Sequence, residues 1–429
     1  MKSNSIRELF VSHGFGQVVT VILQLLQLPV LLRFWGMELT AAWFTLNAIP
    51  VVLNTSDLGI FTVLGNRILA QRLAGETAAA LISRDRMLTV SSWGSIFVFS
   101  LGSAICLATI LGSELALANA ADAYLACLVI ALNGAVGFWQ NLQRTYLRME
   151  GLLAKGTLHY NMQRLASFTL VMLVAFISKS LAAAAAVQLL SNLLVSSRLG
   201  KLYAARNWLL VGFRQLVGVL RTELRNCYAA SAFTLSTAVL SQSFTIILAW
   251  KAGAAEVVAF NAYRILGRPA VQYSILIASS TWPRVAELCA AKDLRQLTRI
   301  CRNSLLAYAG GATLGSLMLL LLAPWLWAFV TSGNLPLRYP VAILATGDAI
   351  ALGFLNILFA DLVAVGKFTR QGNILLLLTV VFLALAVCFM AQYMVGFILL
   401  LSVSSLATIF AAVEFHGFLK LSTPAPFDS

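Results

Sequence analysis

The chain has 429 residues, of which 60% are apolar and 11% charged, whereas a soluble domain is nearer to half apolar and about a quarter charged. This composition excludes an ordinary soluble globule and makes the bilayer the expected solvent. The net charge of +14 does not call for a nucleic-acid partner, because the basic residues concentrate in short loops between apolar segments, where they report membrane topology.

Twelve apolar segments are long enough to cross a membrane as helices, since each span needs about 20 residues with its backbone hydrogen bonds closed internally. The predicted spans are 9–32, 41–66, 89–112, 121–142, 158–178, 181–197, 226–250, 255–282, 304–330, 338–363, 372–391 and 395–418. The fifth and sixth have the least sharply defined limits, because polar or charged residues interrupt both. The expected fold is an all-α polytopic membrane protein with two pseudo-symmetric six-helix bundles around a central cavity.

Basic residues predict the orientation and the division of the chain. With the N-terminus in the cytoplasm, most Lys and Arg lie on the inner side, including a cluster at 144–164, and only Arg33, Lys179, Lys251 and Arg338 lie outside. This asymmetry predicts cytoplasmic termini. The expected parts are an N-terminal lobe at 1–200, a cytoplasmic amphipathic connector at 201–225 that contacts membrane lipids, and a C-terminal lobe at 226–429.

The two halves of the chain form an internal repeat that polar residues define. At an offset of 217, the aligned pairs are Gln17 with Thr234, Thr20 with Thr237, Gln24 with Ser241, Gly36 with Gly253, Arg67 with Arg284 and Glu76 with Asp293; at 215, they are Asn133 with Asp348 and Asn141 with Asn356. Polar residues are expensive in lipid, so their matched placement predicts two bundles around one shared site.

Polar side chains form one helical face in the first and seventh spans. The first face holds Gln17, Thr20 and Gln24, and the second holds Thr234, Thr237 and Ser241, with spacings of three and four residues that place them together. Such faces either line a polar lumen or hydrogen-bond neighbouring helices. The repeat relation favours the lumen.

Two arginines lie inside the eighth span, on a face with the substrate-binding candidates Asn261 and Gln272. Arg264 and Arg268 are expected near the bilayer midplane, where a charge facing lipid costs between about 3 and more than 10 kcal/mol. A guanidinium fork matches phosphate or carboxylate oxygens, so the pattern predicts a buried anion-binding site. A static ion pair with Asp348 of the tenth span is the alternative.

The remaining candidates concern coupling and gating. Asp57 either carries a coupling proton or pairs with Arg67, and Asp348, Asn133 and Asn141 are the other candidates for coupling or gating. The expectation is coupling to H⁺ or Na⁺ without a metal site or another cofactor. The six cysteines show no zinc or disulfide spacing, and no nucleophile-elbow, HExxH or Walker A motif indicates an enzyme.

Two stretches carry a resemblance to a known family. FWGMELTAAWFTLNAIPVVLNTSDLGIFTVLGNRILAQRLAGE resembles the bacterial polysaccharide flippases of the multidrug/oligosaccharidyl-lipid/polysaccharide exporter superfamily, and WKAGAAEVVAFNAYRILGRPAVQYSILIASSTWPRVAELCAAKD is similar to the counterpart in the second half. The matching residues are Gly36, Trp43, Asp57, Leu58, Gly59, Asn66, Arg67, Gly253, Phe260, Tyr263, Arg264, Pro283 and Arg284. The twelve-span layout extends the likeness over nearly the whole chain.

The resemblance implies a flippase of the bacterial inner membrane for an undecaprenyl-pyrophosphate-linked oligosaccharide, such as an O-antigen or capsule repeat unit. It implies that spans 1, 2, 7 and 8 line a cationic cavity with alternating access, and that a glycan polymerase and chain-length machinery are partners. A cation-coupled multidrug exporter of the same superfamily is the alternative, although the first span has no carboxylate in its core. A membrane-integrated glycan polymerase or acyltransferase is the alternative from another class, and it would require catalytic groups on a sizeable outer loop.

Overall fold

A computed structural model gives the fold of the protein and describes residues 6–54, 60–113, 119–150, 152–203, 213–291, 293–365, 369–389 and 393–422. The first half of the chain forms six helices: α1 Ile6–Asn54, α2 Ile60–Leu73, α3 Thr77–Gly112, α4 Ala120–Met149, α5 Leu153–Ile177 and α6 Leu181–Tyr203. The second half forms seven: α7 Phe213–Lys251, α8 Ala254–Ala290, α9 Leu294–Leu321, α10 Ala323–Val330, α11 Tyr339–Ala364, α12 Thr369–Phe389 and α13 Tyr393–Ser422. The all-α fold is confirmed.

Ten helices of the described chain are long and apolar enough to cross a membrane. One of them, α1, has 49 residues and turns at Gly36, so it makes two passes. Helix α8 is not among the ten, and its 37 residues are about 55 Å long at 1.5 Å per residue, enough to cross. These segments make up the twelve predicted spans, and the exposed apolar side chains around them, such as Leu321 at 81% and Trp325 at 84%, form a lipid-facing surface.

One predicted span limit was wrong, and another is not tested. The second span was expected to continue to residue 66; the structure describes helix on both sides, α1 Ile6–Asn54 and α2 Ile60–Leu73, and residues 55–59 between them lie outside the described residues. The ninth span was expected to be one helix to residue 330, but it divides at Leu322 into α9 and α10. Pro324 follows that division, and proline is tolerated in a first helical turn while it would disrupt a helix interior.

The internal repeat is confirmed in the backbone. Gly36 has φ 75° and ψ −173°, and its partner Gly253 has φ 83° and ψ −172°, a conformation essentially restricted to glycine. Glu76 and Asp293 cap helices that begin at Thr77 and Leu294, with similar dihedral angles of −80°, 65° and −85°, 76°. The two halves therefore turn in the same way at equivalent places.

Each half has its own apolar core. One cluster of buried residues runs from Leu31 to Ala185, and the other consists of residues 233–415 together with Leu28, Leu32 and Ala41 of α1. Residues 213–225 of the expected connector are the first turns of α7, where Val219 and Leu220 pack against the first cluster. The lobe limits stay a prediction, and residues 204–212 lie outside the described residues.

The helical bundle has two ends, which differ in their residues. We call the face that holds Arg72, Arg84 and Arg284 the basic end; Arg72 forms an ion pair of 2.8 Å with Glu150 there. At the opposite end, the Trp35 indole donates to the Ser178 carbonyl at 2.8 Å. Leu28, Leu32 and Ala41 join the core of the second half near that end, so the two halves are packed together there.

Candidate functional site

A cavity of about 980 Å³ lies between the two halves. Helices α1, α4, α5 and α6 form most of its wall, and α7 and α8 close the remaining side. Asn54, Arg144 and Thr145, near the ends of α1 and α4, line the part of the cavity at the basic end. The cavity therefore extends toward the basic end, while the opposite end is packed.

Three arginines from different helices line this cavity: Arg144 of α4, Arg164 of α5 and Arg268 of α8. The described residues of its lining include no carboxylate, and none of the three arginines forms an ion pair within 4 Å with the described chain. Arg144 stacks over the Tyr160 ring, with its guanidinium carbon 4.3 Å from the ring centroid, a favourable cation–π geometry. The described lining is therefore cationic.

Several like charges therefore line adjoining spaces in the bundle. Arg144, Arg164 and Arg268 line the cavity without a carboxylate among its described lining residues. Like charges in a bundle oppose folding unless a negative partner offsets them. Such a wall is costly for an empty protein and well suited to an anionic ligand.

Amide side chains make up much of the remaining wall. Twelve of them line the cavity: Gln24, Gln27, Asn47, Asn54, Asn133, Gln140, Asn141, Gln163, Gln188, Asn192, Gln242 and Asn261. Four of their side-chain oxygens, those of Gln24, Asn54, Gln163 and Gln188, are buried without a hydrogen-bond partner among the described residues. Each such amide retains capacity to bind a polar ligand, so the wall combines cationic groups with many donors and acceptors.

A network of hydrogen bonds holds several of these amides in place. The Asn192 amide donates to the Asn133 side-chain oxygen, and the Gln140 amide donates to the Ser196 hydroxyl at 3.0 Å. The Asn141 amide donates to the Asn54 carbonyl at 2.8 Å. These bonds join α4 to α6 and to α1, and they fix the orientation of side chains that line the cavity.

A second, smaller pocket of about 220 Å³ lies within the second half, between α7, α8, α11 and α13. Arg264, Asp348 and Ser404 line it, and Arg268 and Gln242 line both this pocket and the large cavity. The Asp348 carboxylate accepts a hydrogen bond of 2.7 Å from the Ser404 hydroxyl. The two spaces are therefore neighbours that share one arginine.

The residues predicted from sequence divide between these two spaces. The large cavity is lined by Thr20, Gln24, Asn133, Asn141, Thr234, Asn261 and Arg268; the smaller pocket is lined by Thr237, Ser241, Arg264, Arg268, Gln272 and Asp348. Gln17 and Arg67 line neither space, and Asp57 lies outside the described residues. The coupling and gating roles stay predictions.

Three hydroxyl groups on the polar faces of the first and seventh spans line the two spaces and bond within their own helices. The hydroxyl groups of Thr20, Thr237 and Ser241 donate to carbonyls of their own helices, at 2.7, 2.9 and 2.8 Å. Such bonds satisfy a hydroxyl group without a neighbouring helix. This geometry agrees with lumen lining.

The ion pair between Arg264 and Asp348, the alternative to an anion site, does not form. Both residues line the smaller pocket, but their charged groups do not approach within the 4 Å of a salt bridge. Asp348 is held by Ser404, and the Nη1 atom of Arg264 is buried without a hydrogen-bond partner in the described chain. The static-pair alternative therefore lacks its defining contact.

Arg144 and Arg164 are functional candidates that the sequence analysis missed. Both were assigned to a cytoplasmic basic cluster, but α4 continues to Met149 and α5 begins at Leu153, so both belong to helices. Tyr160, Arg164 and Ser167 recur at spacings of four and three, which places them on one helical face. This polar face was the feature of the sequence from which a role for Arg164 in the cavity could have been predicted. The expectation that spans 1, 2, 7 and 8 alone line the cavity was incomplete, since α4, α5 and α6 contribute much of the wall.

No protein-family model matches the chain, and no curated protein matches it. Solved structures of transporters do. The inward-facing conformation of a multidrug resistance MATE family transporter of the MOP superfamily matches with a TM-score of 0.71 at 13% identity, covering 96% of this chain and 95% of that one. The outward-facing conformation of such a transporter matches at 0.67 and 15%, covering 97% and 96%.

A third match is a MOP superfamily transporter from Pyrococcus furiosus, described by a binding pocket of reverse polarity that suggests a different function. Its TM-score is 0.63 at 14% identity, and the match covers 99% of this chain and 100% of that one. These coverages extend over whole chains, so the protein has the fold of this class of transporters. At such low identity the likeness shows the fold, and the residues of the cavity must indicate what is bound.

Proposed function

We propose that this protein is a transporter that moves a lipid-linked oligosaccharide, with a pyrophosphate between lipid and glycan, from one leaflet of the membrane to the other. The observation that carries the proposal is the cavity lined by Arg144, Arg164 and Arg268 with no carboxylate among its described lining residues. Guanidinium groups bind phosphate oxygens through paired, charge-assisted hydrogen bonds. The arginines supply the recognition of the pyrophosphate.

The amides supply the recognition of the glycan. Sugar hydroxyls both donate and accept hydrogen bonds, and an amide offers one acceptor group and two donors. The large cavity has twelve amides and the aromatic faces of Trp43 and Tyr160. Its volume of about 980 Å³ is at the upper end of the range typical of sites for drug-sized ligands, about 300–1,000 Å³, so it accommodates a short oligosaccharide while the lipid tail stays in the bilayer.

The difference between the two ends, one reached by the cavity and the other packed, supports alternating access. The cavity reaches the basic end, which the sequence predicts to be cytoplasmic, and the two halves share a core near the other end. A cargo would enter from the basic end and leave when the halves part at the opposite end, with the two repeats moving as bundles. Coupling to H⁺ or Na⁺ is part of the proposal, with Asp348 as the described candidate.

A cation-coupled multidrug exporter is the second candidate function, and the likeness to multidrug resistance MATE transporters favours it. An exporter of cationic drugs needs negative or neutral groups at its binding site, because like charges disfavour binding. The arginines of this cavity oppose such a cargo. The charge of the lining therefore separates two functions that the fold allows equally.

The sidedness of the lipid-linked oligosaccharide in cells tests the proposal. A membrane-impermeant probe of the sugar is applied to cells that lack the gene and to cells with the gene restored. We expect the glycan lipid to accumulate on the cytoplasmic leaflet without the gene and to return to the outer leaflet with it. Normal sidedness in both, together with a gene-dependent change in resistance to cationic drugs, would favour the exporter.

A further inference from the structure

The smaller pocket is the counterpart, within the internal repeat, of one part of the large cavity. Helices α6 and α13 begin at Leu181 and Tyr393, and at that offset Ser404 corresponds to Asn192. The bond from Asn192 to Asn133 in the first half therefore has an equivalent in the bond from Ser404 to Asp348 in the second. Both bonds lie in the walls of their respective spaces.

The smaller pocket and the equivalent part of the large cavity differ in charge. Where the first half places the amides Asn47 and Asn133 in the wall, the second half places Arg264 and Asp348 at the equivalent positions. Arg268 adds a further positive charge. The described lining of the smaller pocket thus has two arginines and one acid, and one positive charge is not balanced within it.

The hydrogen bonds of Arg264 are incomplete. Its guanidinium carbon lies 5.4 Å from the centroid of the Phe260 ring, and its Nη1 atom is buried without a partner in the described chain. Asp348, the acid that lines the pocket with it, is hydrogen-bonded to Ser404 and lies outside ion-pair distance. A buried guanidinium with an unsatisfied donor is costly, and an oxygen anion in the pocket would satisfy it.

The size of the pocket limits the ligand. Its volume of about 220 Å³ equals the share of about seven water molecules in the liquid, at roughly 30 Å³ each. This space accommodates one phosphate or carboxylate group with a few waters, and it excludes an oligosaccharide. The hydroxyl groups of Thr237 and Ser241 and the amides of Gln242 and Gln272 line it as well.

We propose that this pocket is a second binding site, for a small oxyanion of the phosphate or carboxylate class, held between Arg264 and Arg268. Asp348 opposes the anion through its own negative charge and so sets the affinity. The occupant is either a free ion or an acidic group on the transported glycan. Since Arg268 lines both spaces, an anion held here offsets one of the positive charges of the large cavity.

Calorimetric titration of the purified full-length protein with inorganic phosphate, and separately with acetate, tests this site at constant ionic strength. We expect saturable binding of at least one of these ions to the native protein. Arg264→Gln weakens that binding by about tenfold or more, whereas Asp348→Asn strengthens it, because removing a nearby negative charge favours an anion. Arg284→Gln, which changes an exposed arginine paired with Glu287 at 2.9 Å, is the matched control and leaves binding unchanged.

The opposite signs expected for the two pocket variants separate a specific effect from misfolding, which would weaken binding in both. Absence of saturable binding of either ion to the native protein would overturn the proposal. Binding that survives Arg264→Gln but is lost in Arg164→Gln would overturn it too, because the ion would then lie in the large cavity.

Displacement of the ion by lipid-linked oligosaccharide would identify the acidic group of the cargo as the occupant, and lack of displacement would identify a free ion; either result upholds the site. The titration requires no transport, so the site and the proposed function can fail separately.

Discussion

Replacement of Arg164 by glutamine is expected to weaken the binding of lipid-linked oligosaccharide while leaving the folded protein at least as stable. Arg164 lines the large cavity with Arg144 and Arg268 and forms no ion pair in the described chain. The side chain therefore contributes little to the stability of the empty protein, and its replacement by glutamine removes one of three like charges from the cavity wall.

The size of the effect follows from the bonds that the guanidinium offers. Hydrogen bonds to charged groups contribute about 1.5–3 kcal/mol each, and each 1.4 kcal/mol is a factor of about ten in affinity. Loss of one such bond to a pyrophosphate oxygen raises the dissociation constant by about 10- to 100-fold. Arg164→Lys keeps the charge without the planar fork, so its dissociation constant is expected to lie between those of the native protein and Arg164→Gln.

The assay measures the binding of a fluorescent pyrophosphate-linked oligosaccharide lipid to each purified variant in detergent, together with its thermal unfolding. Arg284→Gln again provides an exposed Arg→Gln control. A lower unfolding temperature with unchanged affinity in Arg164→Gln would refute the reasoning, because it would assign the side chain a structural role. Native affinity at native stability would refute it as well.

Three further predictions concern packing, backbone conformation and access. Asp122→Ala is expected to lower the stability by about 1–2 kcal/mol in thermal unfolding, since this carboxylate of α4 accepts the backbone N–H of Leu181 at 2.7 Å and caps α6; equal unfolding temperatures would contradict the cap. Gly36→Ala and Gly253→Ala are each expected to cost about 1–3 kcal/mol, and similar losses in the two would reflect their shared conformation, while one neutral variant would break the equivalence. In a protein without its native cysteines, Ser167→Cys is expected to react with an impermeant thiol reagent from the basic face; reaction from the opposite face alone would contradict the cavity's orientation.

The sequence predicted the fold well because the bilayer imposes a simple rule on it. Each span must be long, apolar and internally hydrogen-bonded, and the glycines at 36 and 253 mark equivalent turns that the structure shares. The division between α9 and α10 was not predictable from hydropathy, because Ala323–Val330 continues the apolar stretch in which α9 ends.

The site was predicted only in part, for a related reason. Arg264 and Arg268 were recognised because they interrupt an apolar span, whereas Arg144 and Arg164 were counted in a cytoplasmic basic cluster, since basic residues near the ends of spans normally report topology. Which arginines face a common space depends on how α4, α5 and α8 pack together. That arrangement is tertiary, and the sequence of any one helix does not contain it.

Reconstitution of the purified protein into lipid vesicles tests the assignment of the cargo most directly. Two glycan lipids with the same sugar and tail, one with a pyrophosphate link and one with an uncharged link, are compared by the accessibility of the sugar to an impermeant probe, beside uptake of a cationic dye. We predict protein-dependent transfer of the pyrophosphate-linked lipid that Arg164→Gln impairs, little transfer of the uncharged one, and no dye uptake. Transport of the dye without transfer of either glycan lipid would contradict an anion-binding flippase.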